Sequence, residues 1–298
     1  KINANGTGFS KLLDFAGTTN GSNPYGTLTL SGSILYGMTA YGGTNNKGTI
    51  FRINSDGSGY TKMLDFDGAT KGSNPYISSL VLSGSVLYGT TNSGGINNKG
   101  TIFKINIDGT GYTKLLDFTG TTNGSSPTGT LIVSGSVLYG MTTQGGVNDK
   151  GTIYKINCDG SNYTKLLDFD GVNTGGCPYG TLTISGSVFY GMTCYGGSNN
   201  VGTIFKISTT GDGFTKLLDF DNITKGSCPK GSLTIFNSIL YGMTDEGGTY
   251  GNGSFFRINN DGTGFFKIKD FSISDGIQPS ELVLSSNTLY GMTRGGGS

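Results

Sequence analysis

The 298 residues carry 20 Lys and Arg against 19 Asp and Glu, a formal net charge of +1, and only 13% of them are charged. That balance excludes a basic face for nucleic acid or anionic membrane, and no apolar run approaches the roughly 20 residues of a spanning helix. With no His and no Trp, histidine-based triads and histidine zinc sites are ruled out, and no cofactor is expected.

The 55 glycines sit between recurring apolar strand-like runs, a loop-rich all-β composition rather than a disordered one. The chain begins at Lys1-Ile2-Asn3, part-way through a repeat. The string Leu-Tyr-Gly-Met-Thr, or a near variant, then returns around Tyr36, Tyr88, Tyr139, Tyr190, Tyr241 and Tyr290, at intervals of 52, 51, 51, 51 and 49 residues. A period near fifty filled with short strands predicts a β-propeller with one blade per repeat.

The second repeat shows the expected blade. Strands are predicted over 79–83, 86–91, 100–106 and 112–118. A Gly84-Ser85 turn, a double-glycine loop and an Asp108-Gly109 turn join them, and a longer connection through Pro127 leads to the next blade. The C-terminus stops at Gly296-Gly297-Ser298, in the double-glycine loop. About seven residues separate the phases of the two ends, which brings the chain close to six periods. The expected fold is all-β: a single domain over 1–298, a six-bladed propeller with four antiparallel strands per blade, its ring closed by strands from both termini.

Leu35-Tyr36-Gly37-Met38-Thr39 and Gly48-Thr49-Ile50-Phe51, followed by the Leu-Leu-Asp-Phe and Gly-x-x-Pro segments, resemble the Gloeo/Verruco tandem repeat. The resemblance covers essentially the whole chain. It implies an extracytoplasmic propeller, since that family is found in bacterial proteins that often carry export or surface-anchoring regions. The expected location is therefore extracellular or at a bacterial cell surface. The motif defines no catalytic residues.

Residues that recur in every repeat read as architecture. All six prolines hold one position before the inner strand, and six Asp-Phe pairs, from Asp14-Phe15 to Asp270-Phe271, end the outer strand. The glycine of Tyr-Gly-Met-Thr is expected to admit a neighbouring side chain, with Tyr and Met filling between blades. The Asn54-Ser55-Asp56-Gly57 string faintly resembles a calcium loop but lacks its closing carboxylate, and reads as a hairpin turn.

Departures from the repeat carry the functional information. Antiparallel order places the proline connection and the double-glycine loop on one face. After the prolines stand Tyr25, Tyr76, Thr128, Tyr179, Lys230 and Ser280; before the double glycines stand Tyr41, Ser93, Gln144, Tyr195, Glu246 and Gly295. Tyr25 with Tyr41, and Tyr179 with Tyr195, are expected to be neighbours. Such tyrosines, beside Gln144, suit sugar rings or a protein partner. The Asp245-Glu246-Tyr250 loop, the most divergent, is a further contact.

These residues predict a non-catalytic binding or adhesion module for a surface glycan or protein. Two alternatives stay open. One is a spacer or assembly subunit of a surface layer or filament. The other is a carbohydrate-active hydrolase or lyase using Asp245, Glu246 and Glu281. Among four cysteines, Cys177 is expected to lie opposite Tyr195, beside Cys194, so Cys177–Cys194 leads as a disulfide. Cys177–Cys228 or free thiols are the alternatives, and Cys158 is expected to stay unpaired at the opposite face.

Overall fold

The computed structural model describes residues 1–297, which form strands and turns without a helix. The first sheet is β1 (Thr29–Ser31), β2 (Ile34–Thr39), β3 (Thr49–Asn54) and β4 (Thr61–Asp65). The second is β5 (Val81–Ser83), β6 (Val86–Thr91), β7 (Thr101–Asn106) and β8 (Thr113–Asp117). The third comprises β9 (Ser125–Ser134), β10 (Val137–Gln144), β11 (Thr152–Asn157) and β12 (Thr164–Asp168). The fourth has β13 (Thr183–Ser185), β14 (Val188–Thr193), β15 (Thr203–Ser208) and β16 (Thr215–Asp219). The fifth has β17 (Thr234–Phe236), β18 (Ile239–Thr244), β19 (Ser254–Asn259) and β20 (Phe266–Asp270). The sixth holds only β21 (Ile277–Ser285) and β22 (Thr288–Gly295).

Each four-stranded sheet is a meander with its strands in chain order, the arrangement expected of a propeller blade. The expected sixth blade, with strands from both termini, does not appear as a sheet. β22 pairs only with β21, and residues 1–28 contain no strand. The physical difference is visible in burial: Tyr290 and Met292 of β22 are 52% and 72% exposed, whereas their counterparts Tyr36 and Met38 are 1% and 4% exposed. The N-terminal segment keeps the turn of the complete repeats even so. The Asn3 N–H donates to the Thr7 carbonyl at 2.9 Å, as Asn54 does to Ser58 at 2.9 Å.

The chain divides into two compact units. Residues 1–119, 133–138 and 157–161 form the first, and residues 120–132, 139–156 and 162–298 the second, so the third sheet contributes to both. In the first unit Tyr36, Met38, Ile50, Phe66, Leu80, Leu87, Phe103 and Ile105 make one buried cluster. Phe66 meets Phe103 edge-on at 5.5 Å, and Tyr112 stacks on Phe103 at 5.6 Å. In the second unit Phe169, Phe205 and Phe214 repeat this arrangement at 5.5 and 5.6 Å. Each fully buried aromatic stabilises by up to about 3 kcal/mol. The middle strands are buried on both faces, which explains their weak alternation.

The repeat residues have structural roles. A Cβ on Gly191 would lie 2.4 Å from the Phe205 ring, so the glycine admits the phenylalanine. The Tyr88 hydroxyl lies beside Cys158 and the Tyr190 hydroxyl beside Asn260, each the residue following the third strand of a later repeat. Burial, with the Cys158 contact, pushes the Tyr88 phenol up to about 12. Cys158 is a free thiol, as expected. Asp56 accepts from the Ser58 N–H at 2.8 Å and hydroxyl at 2.7 Å, an ordinary Asx turn.

A bulge recurs where the third strand meets the outer one, between Ile50 and Phe51 and at the four equivalent positions. It adds local twist, and nothing in the strand pattern announces it. Neighbouring repeats are also joined by polar contacts. The Thr27 N–H donates to Ser79 Oγ at 2.8 Å in the first unit. In the second, the Thr130 N–H donates to Thr181 Oγ1 at 2.8 Å and the Thr181 N–H to Ser232 Oγ at 2.9 Å.

Candidate ligand-binding face

The proline connections and the double-glycine loops do share one end of the sheets. Antiparallel bridges join Ser22 to Tyr41, Ser73 to Ser93, Gly176 to Tyr195 and Ser227 to Glu246. In five of the six Asp-Phe pairs, those of Asp65, Asp117, Asp168, Asp219 and Asp270, the Asp anchors the double-glycine loop, whereas Asp14 pairs with Lys11 at 2.8 Å. Asp65 accepts from the Thr44 N–H at 3.1 Å and hydroxyl at 3.0 Å, and pairs with Lys62 at 2.8 Å. Burial pushes the Asp65 carboxyl up, but Lys62 and Thr44 together outweigh it and hold it below the usual carboxylate range. Asp117, Asp168 and Asp219 accept from Ile96, Val147 and Ser198 N–H in the same way. These aspartates are occupied in holding loops.

On this scaffold Tyr25, Tyr41, Tyr76 and Tyr195 are 50%, 42%, 36% and 49% exposed. The ring that meets Tyr25 belongs to Tyr76, edge-on, with centroids 4.8 Å apart and planes at 70°. The expected neighbour Tyr41 is bridged through its backbone to Ser22. Tyr179 is half-buried. Gln144 is exposed at the end of β10, and its Oε1 accepts from Ser126 at 3.4 Å.

Asp245 is buried rather than solvated in a loop. Its Oδ2 receives the Lys230 ammonium at 2.6 Å, and Arg294 stands 3.8 Å from its Oδ1. Glu246 lies on the exposed side of Lys230 at 3.8 Å. Glu281 accepts weakly from Ser232 at 3.4 Å, and burial pushes its carboxyl above the ordinary range. Sequence reasoning put Lys230 on one ring and Asp245 in the divergent loop beside Glu246 of the other, and missed their ion pair. The available signal was that Lys230 departs from uncharged residues at its repeat position, and that Asp245 and Arg294 are the charged residues at theirs.

The disulfide expectation is corrected. Cys194 bonds to Cys228, 34 residues later, and Cys177 is a free thiol. Cys177 and Cys194 do adjoin, with the Cys194 N–H donating to the Cys177 carbonyl at 3.2 Å. Cys194, however, is fully buried, as is Cys228, whose φ of 48° places it in the left-handed region. The bonded pair thus joins two different positions of successive repeats. Burial pushes the remaining Cys177 thiol up.

Beside the divergent loop lies a shallow cavity of about 640 Å³, lined by Tyr250, Asn252, Ser272, Ile273, Ser274 and Gly297. Tyr250 is exposed at its rim.

A family model described as the Gloeobacter/Verrucomicrobia repeat matches residues 1–137, 72–245 and 121–298. A comparison with curated proteins finds no match. Among solved structures, a chain from a nidogen/laminin complex is similar at 17% identity and a TM-score of 0.53, over 87% of this chain and 84% of that one. The GH74 enzyme of Niastella koreensis is similar at 18% identity and a TM-score of 0.54, over 79% of this chain but only 36% of its own length. At these identities the likeness is one of fold, a β-propeller.

Proposed function

We propose, from the premise that the chain belongs to the Gloeobacter/Verrucomicrobia repeat family, that it is a non-catalytic binding or adhesion module recognising a glycan or a protein. One observation carries this reading: Tyr25, Tyr41 and Tyr76 in the first unit, and Tyr195 in the second, are each exposed beside a proline connection or double-glycine loop, while the aspartates common to the complete repeats are occupied by loops. Exposed tyrosines offer a rigid apolar surface with a hydroxyl at its edge. A similar fold in a nidogen/laminin complex is consistent with a protein partner. The Cys194–Cys228 disulfide supports an oxidising, extracytoplasmic location, at or beyond a bacterial surface. The repeat period supports six blades, with β21–β22 as the inner half of a sixth and the strand-like run 1–15 as outer-half sequence.

Glycan-array retention, compared between the parent and Tyr41→Ala/Tyr195→Ala with its melting temperature unchanged, tests the reading. Loss of a retained class in the variant supports it. Concentration-dependent oligomers that ignore these changes would favour the assembly alternative. Turnover lost in Asp245→Asn or Glu281→Gln would favour the hydrolase or lyase.

A further inference from the structure

The second repeat is one residue longer than its neighbours, and the structure identifies the extra residue. Four repeats leave the proline as Pro-x-Gly: Pro24-Tyr25-Gly26, Pro127-Thr128-Gly129, Pro178-Tyr179-Gly180 and Pro229-Lys230-Gly231. The second reads Pro75-Tyr76-Ile77-Ser78. Gly26 backs onto the Ser78 carbonyl, where a Cβ would lie 2.2 Å away, as Gly180 backs onto the Gly231 carbonyl at 2.1 Å. The Thr27 N–H finds Ser79 as the Thr181 N–H finds Ser232. Ser78 and Ser79 therefore hold the Gly-Thr positions, and Ile77 is the insertion.

Ile77 has a φ of 53°, the left-handed region, where a β-branched residue is strained. The strained residue directly follows Tyr76, whose ring packs 4.8 Å from Tyr25. A break in the repeat, a strained backbone and an exposed aromatic pair thus coincide at one place.

We propose that Tyr25 and Tyr76, set by the inserted Ile77, form a single platform that binds a neutral pyranose. This rests on the reading that the tyrosine face binds, and goes further in naming the site, the ligand class and the number of sites. The edge-to-face pair presents ring surface suited to the C–H face of a sugar. Tyr25 Oη accepts from Asn23 Nδ2 at 3.3 Å, which leaves its O–H to donate to a ligand hydroxyl. No Lys, Arg, Asp or Glu enters these contacts, so nothing in them selects a charged ligand. Only Tyr25 and Tyr76 are tyrosines at successive post-proline positions. Elsewhere Thr128 turns its hydroxyl to the Pro178 carbonyl at 3.2 Å, and Lys230 is held by Asp245.

The test is calorimetric titration of the full chain with cellohexaose, mannohexaose and laminarihexaose, with a galacturonate hexamer as the acidic control. Each variant is checked by thermal unfolding. The expected result is one site per chain for a neutral sugar. Tyr25→Ala, Tyr76→Ala and deletion of Ile77 should each weaken it about tenfold or more. Ile77→Gly, which accepts the left-handed backbone, should leave it within about twofold. Binding of the acidic hexamer alone, two or more sites, or binding that survives Tyr76→Ala would overturn the proposal while leaving the tyrosine face as a binding surface. Absence of binding to every sugar would overturn it and also remove the glycan arm of the broader reading.

Discussion

Asn74 reaches back into the preceding repeat, where its Nδ2 donates to the Ala40 carbonyl at 3.0 Å. Cys228 and Cys194 hold the same two repeat positions, and both pairs are 34 residues apart. The disulfide is therefore a covalent version of a contact the repeat already makes. Removing it with Cys228→Ser should cost about 3 kcal/mol, read from chemical denaturation under non-reducing conditions.

The same logic assigns a partner to the free Cys177. Thr143 stands 34 residues before it, at the Cys194 position of the previous repeat. Thr143→Cys should form a second disulfide with Cys177 under oxidising conditions. Peptide mapping by mass spectrometry checks it; a linkage of the introduced thiol to any other cysteine, or no linkage, would contradict the equivalence.

Gly191→Ala should destabilise by about 1–3 kcal/mol, because the added methyl must displace the buried Phe205 ring. Urea unfolding should show a lower midpoint with an unchanged slope.

Lys230→Met leaves the buried Asp245 carboxylate without its nearest cation. A loss of about 3 kcal/mol is expected, with much of it regained in Lys230→Met/Asp245→Leu. Equal losses in the single and double variants would show that the ion pair itself, rather than the stranded charge, is what matters.

Two carboxyls should move stability with pH in opposite directions. At Asp221 burial pushes the carboxyl up, but Thr224 and Lys225 outweigh it and hold it at about 2, below its usual 3.8. Its stabilisation is present above pH 3.8 and is lost as pH falls toward 2, so Asp221→Asn should flatten the acid limb. Glu281 is raised by burial above 4.5, so its contribution is present at low pH and lost as pH rises through its folded value. Glu281→Gln should raise the melting temperature at about pH 7 and change it little at about pH 4.

Much of the fold was legible because each repeat states it again. The strand predicted over 86–91 is β6 to the residue, and Asp108-Gly109 turns as its dipeptide implies. The bulge beside Ile50 and Phe51 was not legible, since an extra backbone residue leaves no composition of its own. The sequence phase led to a sixth four-stranded sheet where β21 and β22 pair only with each other, because phase describes which strand a segment resembles and not what it pairs with. The candidate face was legible as two rings of variable residues. Which members meet was not: Tyr25 with Tyr76, Lys230 with Asp245, and Cys194 with Cys228 are all settled by how backbones turn between repeats. The one textual trace was the interval of 52 residues that contains Ile77.

The Thr181 N–H, given to Ser232 of the following repeat, has a consequence for how such a chain grows. A repeat whose acceptor resides in its successor is incomplete alone, because its donor would face water or remain unpaired. Gene duplication supplies the acceptor together with the donor. One step along the chain, Glu281 stands where the next hydroxyl would be, and the Ser232 hydroxyl donates to its Oε1 at 3.4 Å.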